Sequence, residues 1–201
     1  VYARRKNMGR VLAEEAPVEA DFCMPFPDSG VYAALGFAQE SGLPFEMAMI
    51  RNHYVGRTFI QPSQDMRDFG VRVKLNPVKG MIKGKKIVII EDSIVRGTTI
   101  RTRMKKLREL GAKELHLRVS CPPICNPCYY GIDFSSKGEL IAANYSVSDI
   151  ARFIGLDSLH YLSLDGLMQA VEADQGYCRA CFDGEYPELP PEGCGKACLE
   201  T

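Results

Sequence analysis

The strongest apolar run in the chain is Ile87-Val88-Ile89-Ile90, entered through Lys85-Lys86 and stopped by two adjacent carboxylates, Glu91 and Asp92. No polar position interrupts it, which predicts a strand covered on both faces, as in a parallel sheet. Ser93, Ile94, Val95, Arg96, Gly97, Thr98 and Thr99 follow, and the spacing of Met104, Leu107 and Leu110 then predicts a helix over residues 98–110 that Gly111 closes. A strand, a short polar loop and a helix aim backbone N–H groups at an anion.

The same unit recurs upstream. Residues 6–15 place Met8, Val11 and Leu12 on one helical face, and Pro17 ends that helix. Residues 20–24 predict a short buried strand that runs into Pro27-Asp28-Ser29-Gly30. A helix of small residues through Ala33, Ala34, Phe37 and Ala38 comes next and stops at Gly42 and Pro44. Residues 45–50 predict another strand, residues 114–120 a further one, and residues 139–142 and 147–154 short helices. Residues 51–80 are polar, basic and aperiodic. A loop of that length in a compact domain is functional or disordered. Arg51, Arg57, Arg67, Arg72 and Lys74 would suit a lid over an anion, although on composition alone a solvated surface loop is the favoured reading. The order of elements predicts an α/β fold with a parallel, doubly wound sheet, whose ligands bind at the carboxyl ends of the strands.

The loop after the strong strand has its own chemistry. Gly97 allows close approach of a phosphate, and Ser93, Thr98 and Thr99 offer hydroxyl donors. Glu91 and Asp92 would repel a phosphate; they suit sugar hydroxyls, a developing positive charge or Mg²⁺. An ordinary strand end with a capped helix would explain Ser93 or Thr98, but not two carboxylates and Arg-Gly-Thr-Thr together.

A chain of 201 residues supports one domain with a sizeable core. Equal numbers of basic and acidic residues give no net charge, which argues against nucleic-acid binding. No apolar run is long enough for a bilayer, and no apolar segment follows Arg4-Arg5 as in a signal peptide, so a cytoplasmic protein is expected. The chain begins at Val1, which suggests a piece of a longer protein.

Of eight cysteines, all but Cys23 lie at or beyond Cys121, a local concentration that points to a site and not to a general disulfide framework. Cys125-Asn-Pro-Cys128 and Cys178-Arg-Ala-Cys181 are two CxxC pairs, the spacing of a four-thiolate metal site. Spacing alone leaves zinc and an iron–sulfur cluster as close alternatives. Cys23 belongs to a strand and reads as core.

Glu91 to Thr99 closely resembles the loop with which type I phosphoribosyltransferases bind phosphoribosyl pyrophosphate (PRPP). Its form, E-D-S-I-V-R-G-T-T, is similar to that of the glutamine PRPP amidotransferases, also called amidophosphoribosyltransferases. Y-V-G-R-T-F-I-Q-P-S-Q from Tyr54 resembles that family's flexible loop, which orders over PRPP and encloses an ammonia channel. P-C-Y-Y-G-I-D from Pro127 and C-R-A-C-F from Cys178 resemble its iron–sulfur signatures.

The resemblance implies the type I phosphoribosyltransferase fold over residues 1–165, with a long flexible lid at about 51–80, and a cysteine-rich C-terminal segment, 166–201, packed on it. It implies PRPP binding by Asp28, Ser29, Gly30, Arg51, Tyr54, Glu91, Asp92, Ser93, Arg96, Gly97, Thr98 and Thr99. Catalytic roles fall to Glu91, Asp92 and Arg57, with Mg²⁺ at Glu91 and Asp92. Some relatives have a metal-touching serine where Gly30 stands, so that contact is absent here. The family usually has K-N-R where this chain has Arg51-Asn52-His53. The charge is kept, but a planar fork replaces a point charge. A structural 4Fe–4S cluster is implied at Cys128, Cys178 and Cys181, with zinc as the alternative metal. The family's fourth ligand lies upstream of Val1, and Cys125, Cys121, Cys194 and Cys198 are candidates to replace it. The implied reaction joins ammonia, drawn from glutamine, to PRPP, giving 5-phosphoribosylamine and pyrophosphate, the first committed step of purine synthesis. The family's glutaminase domain, with its N-terminal cysteine nucleophile, is not in this sequence. The expectation is therefore the synthase half, dependent on free ammonia, partnered with that domain in a full-length chain and assembled as a dimer or tetramer. Two other classes share the loop: PRPP-binding gene regulators and salvage phosphoribosyltransferases.

Overall fold

The computed structural model describes residues 1–52, 75–132, 136–172 and 176–188. Four parallel strands form its central sheet in the order β1 (Phe22–Pro25), β4 (Lys86–Glu91), β5 (Glu114–Val119) and β6 (Ser158–Tyr161). The register runs Met24 to Ile89, Ile89 to Leu117 and Leu117 to Leu159. Two further strands, β2 (Met49–Arg51) and β3 (Leu75–Pro77), pair antiparallel with each other.

The Ile87–Ile90 stretch of β4 is apolar because helices cover both its faces. Ile87 and Ile89 join the cluster with Met104, Leu107 and Ile150. These come from α4 (Thr98–Glu109) and α6 (Val147–Ile154), α3 (Lys79–Ile82) adding Ile82. Val88 and Ile90 face the other way, into a cluster with Leu12, Ala34, Phe37 and Ala170. Those belong to α1 (Tyr2–Glu15), α2 (Val31–Ser41) and α7 (Leu164–Val171). All four β4 isoleucine and valine side chains are fully buried, as a central parallel strand requires.

The small residues of α1 and α2 let their backbones approach closely. A Cβ on Gly9 would lie 1.8 Å from the Ala33 carbonyl oxygen, and one on Gly36 would lie 1.9 Å from that of Lys6. Glu15 at the end of α1 accepts the Ser163 N–H at 2.8 Å, and the Ser163 hydroxyl in turn caps α7 by accepting the Gly166 N–H. The sequence division at 165/166 therefore falls inside a helix packed against α1.

Three expectations change. The helix expected at 6–15 starts at Tyr2. The strand expected at 20–24 is shifted to Phe22–Pro25. Residues 45–50 do not form a strand of the main sheet: Phe45 makes an isolated bridge to Cys23, and Met49–Arg51 turns away to pair with Leu75–Pro77. Pro44 at the start of this run has no N–H for a ladder. No helix among the described residues is long and apolar enough to cross a membrane.

Candidate functional site

Two loops meet at the carboxyl ends of β1 and β4. The first, residues 26–30, leaves β1 through Phe26, whose N–H donates to the Ile90 carbonyl at 2.9 Å. Its Pro27–Asp28 peptide is cis. Gly30 opens α2 and sits against β4, where a Cβ would come within 2.3 Å of the Ile90 oxygen. The second loop runs from Glu91 to Gly97. Buried Ile94 anchors its middle, and the Ile141 N–H donates to Val95 at 2.8 Å, from α5 (Ile141–Asn144). Gly97 takes φ +74°, a region that costs an L-residue about 1–2 kcal/mol. Thr98 and Thr99 form the exposed first turn of α4, which no side chain caps.

The loops are joined through Glu91. Its side chain is 7 % exposed. Oε1 accepts from the Ser29 hydroxyl at 3.3 Å and from the Asp92 N–H at 3.1 Å. Oε2 lies 3.5 Å from Nη1 of Arg103 on α4. Burial, then the neighbouring Asp92, push the Glu91 carboxyl up to about 8, with Arg103 opposing. This carboxylate is short of positive charge. Asp92 is the member of the pair that faces the cleft and is open to a divalent cation, whose arrival would relieve the repulsion between the two.

The remaining expected ligands are distributed around this centre. Asp28 is exposed and ion-paired to Arg51. Ser93 donates to Asp92 Oδ1 at 3.4 Å. Arg96 projects outward and pairs with Glu139 at 3.0 Å. Tyr54 and Arg57 lie outside the described residues, as does most of the expected lid. A cleft of about 420 Å³ opens beside the site, with Ser29, Asp92, Ser120, Cys121, Met8 and Phe182 among its walls. Arg103 and Ser120 were not anticipated. Ser120 donates its N–H and hydroxyl to the Glu91 carbonyl at 2.9 and 3.2 Å, fixing the strand end. Arg103 carried a weak signal, a cation next to the apolar seam Ile100, Met104, Leu107.

Both cysteine pairs sit at one corner of the cleft. Cys128 and Cys181 pack with Ile124, Leu140 and Phe182, and Cys178 lines the cleft itself. The N–H groups of Cys125 and Asn126 both donate to the Cys181 carbonyl at 3.0 Å, joining the two segments. The Tyr130 N–H donates to Cys128 Sγ at 3.4 Å, whereas Cys125 Sγ turns to the Ala142 carbonyl at 3.5 Å. Burial, then the charges of Cys128 and Cys178, push the Cys181 thiol up to about 11. The thiols thus sense one another, and soft sulfur donors suit iron–sulfur or zinc. Among the described residues, no three His, Cys, Asp or Glu side chains already converge on one point as metal ligands do. Cys23 is fully buried in β1, as its strand position implied; Cys194 and Cys198 lie outside the described residues.

No family model matches the chain. It is 52% identical over 198 residues to the amidophosphoribosyltransferase of Archaeoglobus fulgidus, covering 96% of this chain and 43% of that one. The Bacillus subtilis amidophosphoribosyltransferase is 50% identical over 192 residues, 93% of this chain and 40% of its own length. A chloroplastic amidophosphoribosyltransferase of Vigna aconitifolia is 53% identical over 191 residues, or 94% and 39%. Among solved structures, the glutamine PRPP amidotransferase of B. subtilis in complex with ADP and GMP matches with a TM-score of 0.86 and 48% identity, over 97% of this chain and 44% of that one. The chain spans about two fifths of the length of the curated relatives it matches.

Proposed function

We propose, for a chain that belongs to the amidophosphoribosyltransferase family, that it carries the synthase chemistry: attack of ammonia on C1 of PRPP, with release of pyrophosphate and formation of 5-phosphoribosylamine. The observation that carries the reading is the junction of two loops on one buried carboxylate. The turn at Gly97 and the loop at Asp28–Gly30 both adjoin the Glu91–Asp92 pair, an arrangement that suits a sugar with phosphate groups at both ends.

In this reading the N–H groups and hydroxyls of Ser93, Gly97, Thr98 and Thr99 hold the 5-phosphate, with Arg96 above them. Ser29, Gly30 and Arg51 meet the pyrophosphate, Arg51 leaving Asp28 to do so. Asp92, presented to the cleft, accepts from the ribose hydroxyls. The carboxylate pair favours the positive charge that develops on the ribose as pyrophosphate departs. Mg²⁺ would be held at the Glu91–Asp92 pair from the Asp92 side, which faces the cleft, and would supply positive charge to the leaving pyrophosphate. No side chain need act as a nucleophile, because ammonia is one. Tyr54 and Arg57 are assigned to the lid by the sequence match alone. Cys128, Cys178 and Cys181 would hold a structural 4Fe–4S cluster, supported by their shared corner and the N–H donated to Cys128 Sγ; zinc is the other metal the donors suit.

The test is pyrophosphate release from PRPP and Mg²⁺ with and without ammonia, against Asp92→Asn. Ammonia-dependent release that disappears in the variant is expected. Release by Asp92→Asn at the wild-type rate would remove Asp92 from the reaction, and failure of the wild-type chain to bind PRPP at all would remove the reading.

A further inference from the structure

We infer that Arg103 is the positioning residue of this site: it holds Glu91 as an internal strut that sets Asp92 and ties the two substrate loops together. The inference deepens the PRPP reading and rests on it. Glu91 does not open onto the cleft; Asp92 does. Each oxygen of Glu91 is already engaged by the protein, and the partners come from three separate elements. Ser29 belongs to the loop after β1, the Asp92 N–H to the loop after β4, and Arg103 to the second turn of α4.

Arg103 reaches further than its ion pair. Its guanidinium carbon lies 4.9 Å from the centroid of the Phe26 ring. Phe26 is fully buried and begins the Asp28–Gly30 loop. A planar guanidinium suits this position, since it can stack on a ring and present N–H donors at its edge, and it stays charged at any working pH. One group on the phosphate-binding helix therefore touches both the root of the pyrophosphate loop and the carboxylate at the end of β4. Because the Asp92 N–H is bonded to Glu91 Oε1, the orientation of Glu91 fixes the backbone of Asp92. Arg103 acts through Glu91 and does not itself reach the reacting atoms.

The test is a cycle of Arg103→Met, Glu91→Gln and the double variant, with Arg103→Lys as the conservative change. Methionine keeps apolar packing against Phe26 and removes the charge. With PRPP, Mg²⁺ and ammonia, Arg103→Met should lower kcat by roughly 10- to 100-fold, the cost of a misplaced reacting group, and leave the KM for ammonia unchanged. Arg103→Lys should recover part of the loss, which a purely steric role would not allow. The double variant should be no slower than the slower single, because both changes cut the same strut. Losses that multiply, or a wild-type kcat in Arg103→Met, would overturn the inference. If the wild-type chain does not bind PRPP, the PRPP reading fails on that result; if it binds PRPP but releases no pyrophosphate, the synthase chemistry fails and the PRPP site stands. The strut is then judged by urea unfolding of the same four proteins without ligand, where additive effects of the two substitutions would overturn it.

Discussion

Replacing Glu91 by Gln should stabilise the ligand-free protein above neutral pH while impairing its function. The folded state holds the Glu91 carboxyl at about 8 against an ordinary 4.5. The folded state therefore binds more protons than the unfolded one between those values, and stability falls as pH rises through that window. At about 1.4 kcal/mol per pH unit, the ionised form costs the ligand-free fold on the order of 5 kcal/mol above pH 8. Glutamine removes that charge and keeps an oxygen for the Ser29 hydroxyl and the Asp92 N–H. Its amide NH₂ then faces Arg103, two donors with no acceptor between them, which returns part of the gain. A net stabilisation of roughly 2–3 kcal/mol at pH 8.5 follows, or about 5–10 °C in Tm for a domain of this size. Below pH 4.5, where Glu91 is protonated in both states, the two proteins should differ little. Thermal unfolding of both at pH 8.5 and near pH 4.5, without Mg²⁺, measures this. Equal Tm differences at the two pH values, or a variant less stable than wild type at pH 8.5, would refute the argument. Mg²⁺ with PRPP should reverse the order, because the charge that burdens the empty fold then meets a cation.

Gly97→Ala should destabilise by about 1–2 kcal/mol through its positive φ. Because the new Cβ would come 2.9 Å from the Ile141 side-chain end, the turn should move, and a PRPP titration should show weaker binding; unchanged stability and affinity together would sink this account. Arg118, which has no acid partner among the described residues, donates to the carbonyls of Ala16, Leu117 and Pro17 and to the Ser158 hydroxyl. Burial pulls its guanidinium down to about 10. Arg118→Met should cost about 1–3 kcal/mol by orphaning the Ala16 carbonyl, and hydrogen exchange should rise first at the end of α1. Unfolding at the wild-type urea midpoint would show that water reaches those carbonyls.

What the sequence disclosed and what it concealed divide along contact range. β4 and its loop were legible because their signals are local: four apolar residues in a row, two carboxylates, and a glycine where φ must be positive. β6 and α7 went unseen for the opposite reason. Ser158-Leu159-His160-Tyr161 buries little beyond Leu159 and pairs on one side only, so it carries no apolar run. The alternation of residues 114–120 announced a strand, and a solvent-facing side is the simple reading of its His116 and Arg118. The structure buries both instead: Arg118 donates to the Ala16 carbonyl just past α1, and His116 bonds Ser158 and Glu114. Arg103 belongs to the same class. Its meaning depends on Glu91, at the end of the strand before its helix, and on Phe26, which lies far from it in sequence and meets it only once β1 and β4 are side by side. A motif can name the residues that touch a substrate, since the substrate imposes their spacing. It does not name the groups that hold those residues in place, because only the fold brings them together. For this site that rule makes a definite claim: losing Arg103 should lower turnover, although nothing in the signature mentions it.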